Sequence, residues 1–260
     1  MAKTAMVTGA SGGIGLEFAE RLAKQGYQVT LVARGEAKLK EHVARLGAGH
    51  RFIAADLSVA ADWKRVAEDV RASKYDLLVN NAGVGVYGAF ADGPVEPTMA
   101  MMRLNMDSLV ELSHAFLQVA KKGDALLNVA STLALLSFPG AATYCATKAF
   151  VTAFSEGLWF ENKPRGIYVA ALLPGVTKTN FHEAAGGGAE NVPPEGITQT
   201  SAQVVDVAMG ALESRSSPTV LTSFTNKAMV FFSTRMIPRK TMVNIMGGQS
   251  PVKPQAQLKA

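Results

Sequence analysis

The sequence predicts a doubly wound α/β domain: a mostly parallel sheet of about seven strands with helices on both faces. Three observations predict it. Short apolar runs alternate with helical patterns from Thr4 to Thr222. A glycine turn, Gly9-Ala10-Ser11-Gly12-Gly13-Ile14-Gly15, joins the first run to the first helix. Polar residues with chemical potential fall where strands end, the rim on which such sheets bind ligands. The chain of 260 residues is long enough for one domain with a substantial core.

The elements follow in order. Thr4 to Thr8 is a short apolar strand, and Leu16 to Gln25 carries helical periodicity stopped by Gly26. Between them the glycines let backbone approach a pyrophosphate, and a helix N-terminus presents free N–H groups. The spacing Gly-x-x-x-Gly-x-Gly differs from the Gly-x-Gly-x-x-Gly of typical dinucleotide folds, and a plain tight turn is the alternative. Gln28 to Ala33 is the second strand, ending at Ala33-Arg34, with Lys38 one helical turn on. An acid here would hold the ribose hydroxyls of NAD; a cation accommodates the extra phosphate of NADP. Arg34 and Lys38 therefore favour NADP, unless Arg34 is only a solvated helix-start residue. Next come a helix over Glu36 to Leu46, a strand over Arg51 to Ala54, the turn Asp56-Leu57 and a helix over Ala60 to Ala72. Asp76 to Val79 is the fourth strand, leading into Asn80-Asn81-Ala82-Gly83.

The second half continues the alternation. One long helix is expected over Glu96 to Ala120, with Asn105 inside it, and Leu126 to Ala130 is a strand ending at Ser131. A helix over Ala141 to Asn162 bears Tyr144 and Lys148, and Ile167 to Leu172 is a strand leading into Pro174-Gly175-Val176-Thr177. Lys178 to Thr200 reads as a lid, glycine-rich at 186–188 and stiffened by Pro193-Pro194. A helix over Ser201 to Leu212 and a strand over Thr219 to Thr222 complete the domain, 1–223; an apolar, basic tail occupies 224–260.

The chemistry centres on Tyr144 and Lys148, which project from one helical face at a spacing of four residues. A phenol with an ordinary pKa of about 10 stays protonated at neutral pH, and a neighbouring ammonium favours its ionised form. Ser131 can hydrogen-bond the same substrate oxygen. Such a set moves a proton on or off a carbonyl or carbinol oxygen while a cofactor moves the hydride.

Composition excludes several functions. The net charge of +5 is mild and unclustered, which excludes a nucleic-acid footprint. Cys145 is the one cysteine, so no intramolecular disulfide forms, and a reducing, cytoplasmic setting is expected. The N-terminus shows no basic-then-apolar leader. The apolar run 125–144 is broken by Asn128, Ser131, Thr132 and Pro139-Gly140, so it reads as strand and loop rather than a membrane span. Four scattered histidines and one cysteine lack zinc-ligand spacing, and no metal is expected.

Together Thr8-Gly9-x-x-x-Gly13-Ile14-Gly15, Asn80-Asn81-Ala82-Gly83, Asn105, Ser131, Tyr144-x-x-x-Lys148 and Pro174-Gly175 resemble the short-chain dehydrogenase/reductase family, in its shorter, single-domain branch. The resemblance implies a Rossmann-type fold, a nicotinamide cofactor and a tetrad of Asn105, Ser131, Tyr144 and Lys148. Tyr144 would be general acid or base and Ser131 would steady the substrate oxygen. Lys148 would lower the tyrosine pKa and hold the nicotinamide ribose, and Asn105 would anchor a relay water. The cofactor would lie along Gly9, Ser11, Gly12, Gly13, Ile14, Gly15, Arg34, Lys38, Asp56, Leu57, Asn81, Ala82, Gly83, Tyr144, Lys148 and Pro174 to Thr177, with Asp56 and Leu57 at the adenine. A homodimer or homotetramer is expected. Ser11-Gly12 lacks the basic residue that some NADP-preferring relatives carry, and the tail replaces a common Asp-Gly-Gly ending. The tail resembles that of reductases of largely undefined substrate, with a Pro-Arg-containing helix after the last strand.

The expected function is NADP(H)-dependent interconversion of a carbonyl compound and its alcohol. One alternative is a nucleotide-sugar epimerase or dehydratase, for which the stretch after the sixth strand is short. Another is a non-catalytic dinucleotide sensor, which has no need of a tetrad. Val84, Val86, Tyr87, Phe90, Leu133, Leu135, Leu136, Phe138 and Phe181 either wall an apolar substrate pocket or simply pack their loops. In the tail, Met229, Phe232 and Met236, then Met242, Val243 and Met246, recur at helical spacing beside Lys227, Arg235, Arg239 and Lys240. Packing and covering of the substrate mouth are the expected roles; an anionic membrane surface is the third.

Overall fold

The computed structural model describes residues 2–186 and 198–250. Strands β1 (Thr4–Thr8), β2 (Gln28–Ala33), β3 (Arg51–Ala54), β4 (Leu77–Asn80), β5 (Ala125–Val129), β6 (Tyr168–Leu173) and β7 (Thr219–Leu221) form one sheet in the order β3-β2-β1-β4-β5-β6-β7. Every pairing is parallel, where the sequence suggested mostly parallel. Parallel strands need crossovers on both faces, so their residues are apolar on both sides. Ala5 and Val7 accordingly point into one core layer and Met6 into the other.

The first layer is closed by α1 (Gly13–Lys24), α2 (Glu36–Leu46) and α8 (Ser201–Ser214). Phe18, Ala19 and Leu22 of α1 meet Leu39 of α2 and Val204, Val205 and Ala208 of α8 over Val29, Leu31 and Leu172. The start of α8 is set by a capping box between Thr200 and Gln203, and α1 stops where Gly26 turns to φ 84°. The second layer sets α3 (Ala60–Ser73) and α5 (Ser108–Val119) against Met6, Leu78, Leu126 and Val169, with Val66, Val70, Leu112 and Phe116 fully buried. Strand order reverses between β1 and β4. That switch point, at the carboxyl ends of the strands, opens the crevice where such sheets bind ligands.

Two expectations are refined. The long helix expected over Glu96 to Ala120 runs unbroken to Val119 as α4 (Glu96–Met102), a π turn (Arg103–Asp107) and α5, and stops before Ala120 turns to ψ 143°. The wide turn carries Asn105, whose side chain is tied to two neighbouring elements (below), and such bulges commonly mark functional positions. The tail forms α9 (Phe224–Arg235) and α10 (Arg239–Gly248), parted at Pro238. Only one side of α9 packs. Asn226 and Val230 are buried, whereas Met229, Phe232 and Met236, expected to pack or cover, face outward. Between β5 and β6 runs α6 (Ala142–Asn162), and after β6 comes the short α7 (Phe181–Ala184). Gly187, Gly188 and the Pro193-Pro194 stiffener lie outside the described residues, as does the chain after Ser250.

Candidate active site

The glycine turn is wedged against the end of β4. Gly9 has φ 67°, and a Cβ there would meet Asn81 Nδ2 at 2.8 Å and Ala82 Cα at 2.9 Å. A Cβ on Gly15 would stand 2.4 Å from the Gly9 carbonyl oxygen and 2.5 Å from Asn81 Nδ2. No side chain therefore fits at either place. Gly12 differs: its φ of 172° is extended and nothing lies within 4 Å of its Cβ position. It opens α1, whose first turn has neither an acidic residue nor a side-chain cap. An uncapped helix N-terminus behind a glycine cradle suits an anion, so the residues fit the pyrophosphate of a dinucleotide. Arg34 and Lys38 stand exposed past the end of β2, and among the described residues neither forms an ion pair.

Two knots hold this rim. The Thr8 hydroxyl accepts from the Asn81 and Ala82 amides at 3.0 and 2.9 Å, while Asn81 Nδ2 donates to the Thr8 carbonyl at 2.9 Å. At the far end, Gln199 Oε1 accepts from Thr222 Oγ1 at 2.5 Å and from Asn226 Nδ2 at 3.2 Å. Asn226 in turn fills the space over Gly175. Val176 and Lys178 pair with Gln199 through backbone bonds of 2.8 Å, and Thr179 lies over Gly13. Thr179 thus ties the segment after β6 to the glycine turn. Asp56 accepts from the Ser58 amide and hydroxyl at 2.9 and 2.7 Å, which shapes the entry to α3, and Leu57 is buried in the second core layer.

The catalytic candidates converge from three elements. Tyr144 and Lys148 lie one turn apart on α6 and both are buried. Lys148 Nζ donates to the Val129 carbonyl at 2.9 Å and sits 5.9 Å from the centre of the Tyr144 ring. Ser131, just past β5, stands beside the Tyr144 hydroxyl and favours its ionised form, and its Oγ accepts from the Leu133 amide at 3.2 Å. A Cβ on Gly83 would meet both Lys148 Nζ and Asn105 Oδ1 at 3.2 Å, so Gly83 leaves room where these groups meet. Asn105 accepts from the Val84 amide at 3.1 Å and donates to the Val84 carbonyl at 3.0 Å and to Thr147 Oγ1 at 3.1 Å. Its carboxamide rivets the π turn to the loop after β4 and to α6.

Electrostatics here differ from the sequence expectation. Burial pushes the Tyr144 phenol upward, with the nearby Tyr87 adding to the effect and the Ser131 hydrogen bond opposing it. Burial also lowers Lys148 to about 8. In the protein alone desolvation outweighs the expected help from the lysine, so the phenol stays protonated across the neutral range. Above it lies an aromatic wall. The Tyr144 ring centre is 6.2 Å from that of Tyr87 and 5.6 Å from that of Phe181, and His182 lies 6.0 Å from Tyr87. The Tyr87 amide donates to the Ala185 carbonyl at 3.0 Å, docking α7 on the loop after β4.

The profile of the short chain dehydrogenase family matches residues 3–188. The chain belongs to the short-chain dehydrogenase family. It is 30% identical to 2,5-dichloro-2,5-cyclohexadiene-1,4-diol dehydrogenase of Sphingobium indicum, over 81% of this chain and 87% of that protein. Among solved structures it resembles a short-chain dehydrogenase from Sphingobium yanoikuyae in complex with NADPH: TM-score 0.78, 31% identity, covering 90% and 94% of the two chains. It also resembles the bulky-bulky ketone specific alcohol dehydrogenase of Comamonas testosteroni, at TM-score 0.72 and 31% identity over 84% and 85%.

This short-chain dehydrogenase carries site contacts that sequence reasoning passed over. Thr8 opens the glycine motif, but only the paired amides on Thr8 Oγ1 show that its hydroxyl ties β1 to the loop after β4. His42 of α2 is buried, with Nε2 3.3 Å from the Ser11 carbonyl. Gln199 and Asn226 had no local signal, since their partners are 23 and 27 residues away. Beneath the site a buried chain runs from Ser113 through Asn80 and Asn128 to Ser155, joining α5, β4, β5 and α6.

Proposed function

We propose that this short-chain dehydrogenase is an NADP(H)-dependent carbonyl reductase that interconverts an apolar ketone or aldehyde and its alcohol, with Tyr144 as general acid in reduction. The observation that carries the reading is the convergence of Tyr144, Ser131 and Lys148 on one face of the crevice, beside the uncapped start of α1. When bound, the dinucleotide supplies the hydride to the carbonyl carbon. The protein does the rest. Ser131 and Tyr144 hydrogen-bond the carbonyl oxygen, and the raised phenol pKa keeps a proton available for the oxygen as negative charge develops on it. Lys148, close to Gly83 and Asn105, is placed to hold the nicotinamide ribose and to steady the phenolate left behind. Arg34 and Lys38, exposed and without acidic partners among the described residues, favour the extra phosphate of NADP. The NADPH complex of the S. yanoikuyae relative supports that choice.

The apolar walls of Tyr87, Phe181, Val84, Leu133 and Phe138 around Tyr144 favour a hydrophobic substrate, in keeping with the bulky ketones named for the C. testosteroni enzyme. Assembly as a homodimer or homotetramer in a reducing compartment is part of the same proposal. Following NADPH and NADH consumption with bulky and small ketones tests it. NADPH turnover is expected with apolar ketones and a clear preference over NADH; turnover with neither cofactor on any carbonyl would refute it.

A further inference from the structure

The tail exposes an apolar helical face that none of the described residues covers. Along α9, Phe224 is 84% exposed, Met229 45%, Phe231 56%, Phe232 57% and Met236 67%. At helical spacing these five residues share one side with Arg235, and Lys227 lies on its flank. The opposite side faces inward: Asn226 and Val230 are buried, and Ser233, Thr234 and Ile237 line a cleft with Leu135, Leu136, Arg239 and Met242. Phe231 and Phe232 pack edge to face, 5.7 Å between ring centres. From Arg215 to Ala260 the sequence contains no Asp or Glu, while Arg235, Arg239 and Lys240 cluster where α9 meets α10. Among the described residues none of Lys227, Arg235, Arg239 and Lys240 forms an ion pair.

We propose that the outward face of α9 rests on an anionic lipid surface, its phenylalanines at the acyl boundary and its cations among the headgroups. The chemistry selects this occupant. Five large apolar side chains need a hydrocarbon phase, and a cationic surround with no acid needs negative charge. A second copy of this chain meets the first need and fails the second. A two-fold contact centred on Phe231 of α9 would set Lys227 of each copy against Arg235 of the other, with no acid in the tail to offset them. Because the inward side of α9 lines the cleft beside Leu135 and Leu136, a bilayer under α9 also holds that cleft next to the membrane. The contact is interfacial, since no helix among the described residues is long and apolar enough to span.

Co-sedimentation of the full chain with phosphatidylcholine vesicles, with and without phosphatidylglycerol, tests this without any dinucleotide or substrate. Binding is expected only with phosphatidylglycerol and should weaken as salt rises. The double variant Phe231→Ser, Phe232→Ser should bind at least about tenfold more weakly. Lys227→Glu with Arg235→Glu should lose about fivefold or more for each cation reversed. All four positions are exposed, so both variants should keep the wild-type thermal midpoint. Absence of binding to phosphatidylglycerol vesicles would overturn the proposal, as would binding indifferent to both variants. It is equally overturned if the phenylalanine variant turns a dimer into a monomer by light scattering while lipid binding is unchanged, which would assign the face to a second copy.

Discussion

Lys148 is buried as a cation, and that is costly. Its pKa falls from 10.5 to about 8, a penalty of about 3 kcal/mol on the folded state wherever the amine is protonated in both states. The sign follows from linkage. Below about pH 8 both folded and unfolded chains hold the proton and the penalty is complete. Between there and the ordinary lysine value of 10.5 the unfolded chain holds it and the folded chain releases it, so this group's contribution to stability rises with pH. Lys148→Met should therefore stabilise the protein near neutral pH by about 1–3 kcal/mol, allowing for the lost bond to Val129, while abolishing turnover. The gain should shrink as unfolding is repeated toward about pH 10. Destabilisation near neutral pH would show that the charge is not strained. Two glycines give a matched pair. Gly15→Ala places a methyl against backbone at 2.4 Å and should lower the thermal midpoint sharply. Gly12→Ala meets nothing within 4 Å and should leave stability within about 0.5 kcal/mol, while the methyl at the mouth of α1 weakens dinucleotide binding.

At the scale of elements, one hydroxyl ties the end of β1 to the loop that follows β4. Thr8→Val keeps shape but leaves the Ala82 amide unpaired and the Asn81 amide with the Val79 carbonyl alone, for a loss of about 1–3 kcal/mol in chemical denaturation. An unchanged midpoint would mean that other groups satisfy those amides. The strands and helices were legible because each buries a periodic set of apolar residues, and the glycine turn was legible because it lies within a contiguous stretch. The π turn at Asn105 was not. It carries a side chain paired with Val84 and Thr147, 21 and 42 residues away, and local periodicity carries no trace of such partners. The direction of the Tyr144 shift was missed for a related reason: spacing places a lysine beside the phenol but says nothing of how deeply both are buried. The outward turn of Phe231 and Phe232 belongs here too, because the apolar pattern of α9 is the same whichever side packs.

For the whole molecule, the proposed reductase site is the crevice between the glycine turn, the end of β5 and α6. In the proposed reading cofactor choice turns on Arg34, and charge-assisted bonds from it to a ribose phosphate would be worth about 1.5–3 kcal/mol. Arg34→Ala should raise the Kd for NADPH about tenfold to hundredfold and leave that for NADH nearly untouched. Equal losses for both would mean that Arg34 does not read the phosphate. The central claim rests on one proton. Tyr144→Phe keeps the ring against Tyr87 and Phe181 and removes only the hydroxyl that meets Ser131. The decisive measurement is kcat for NADPH-dependent ketone reduction by this variant, beside its NADPH Kd. The account predicts a fall of about 10² to 10⁴ in kcat with the Kd unchanged. A variant that reduces the ketone at close to the wild-type rate would contradict it.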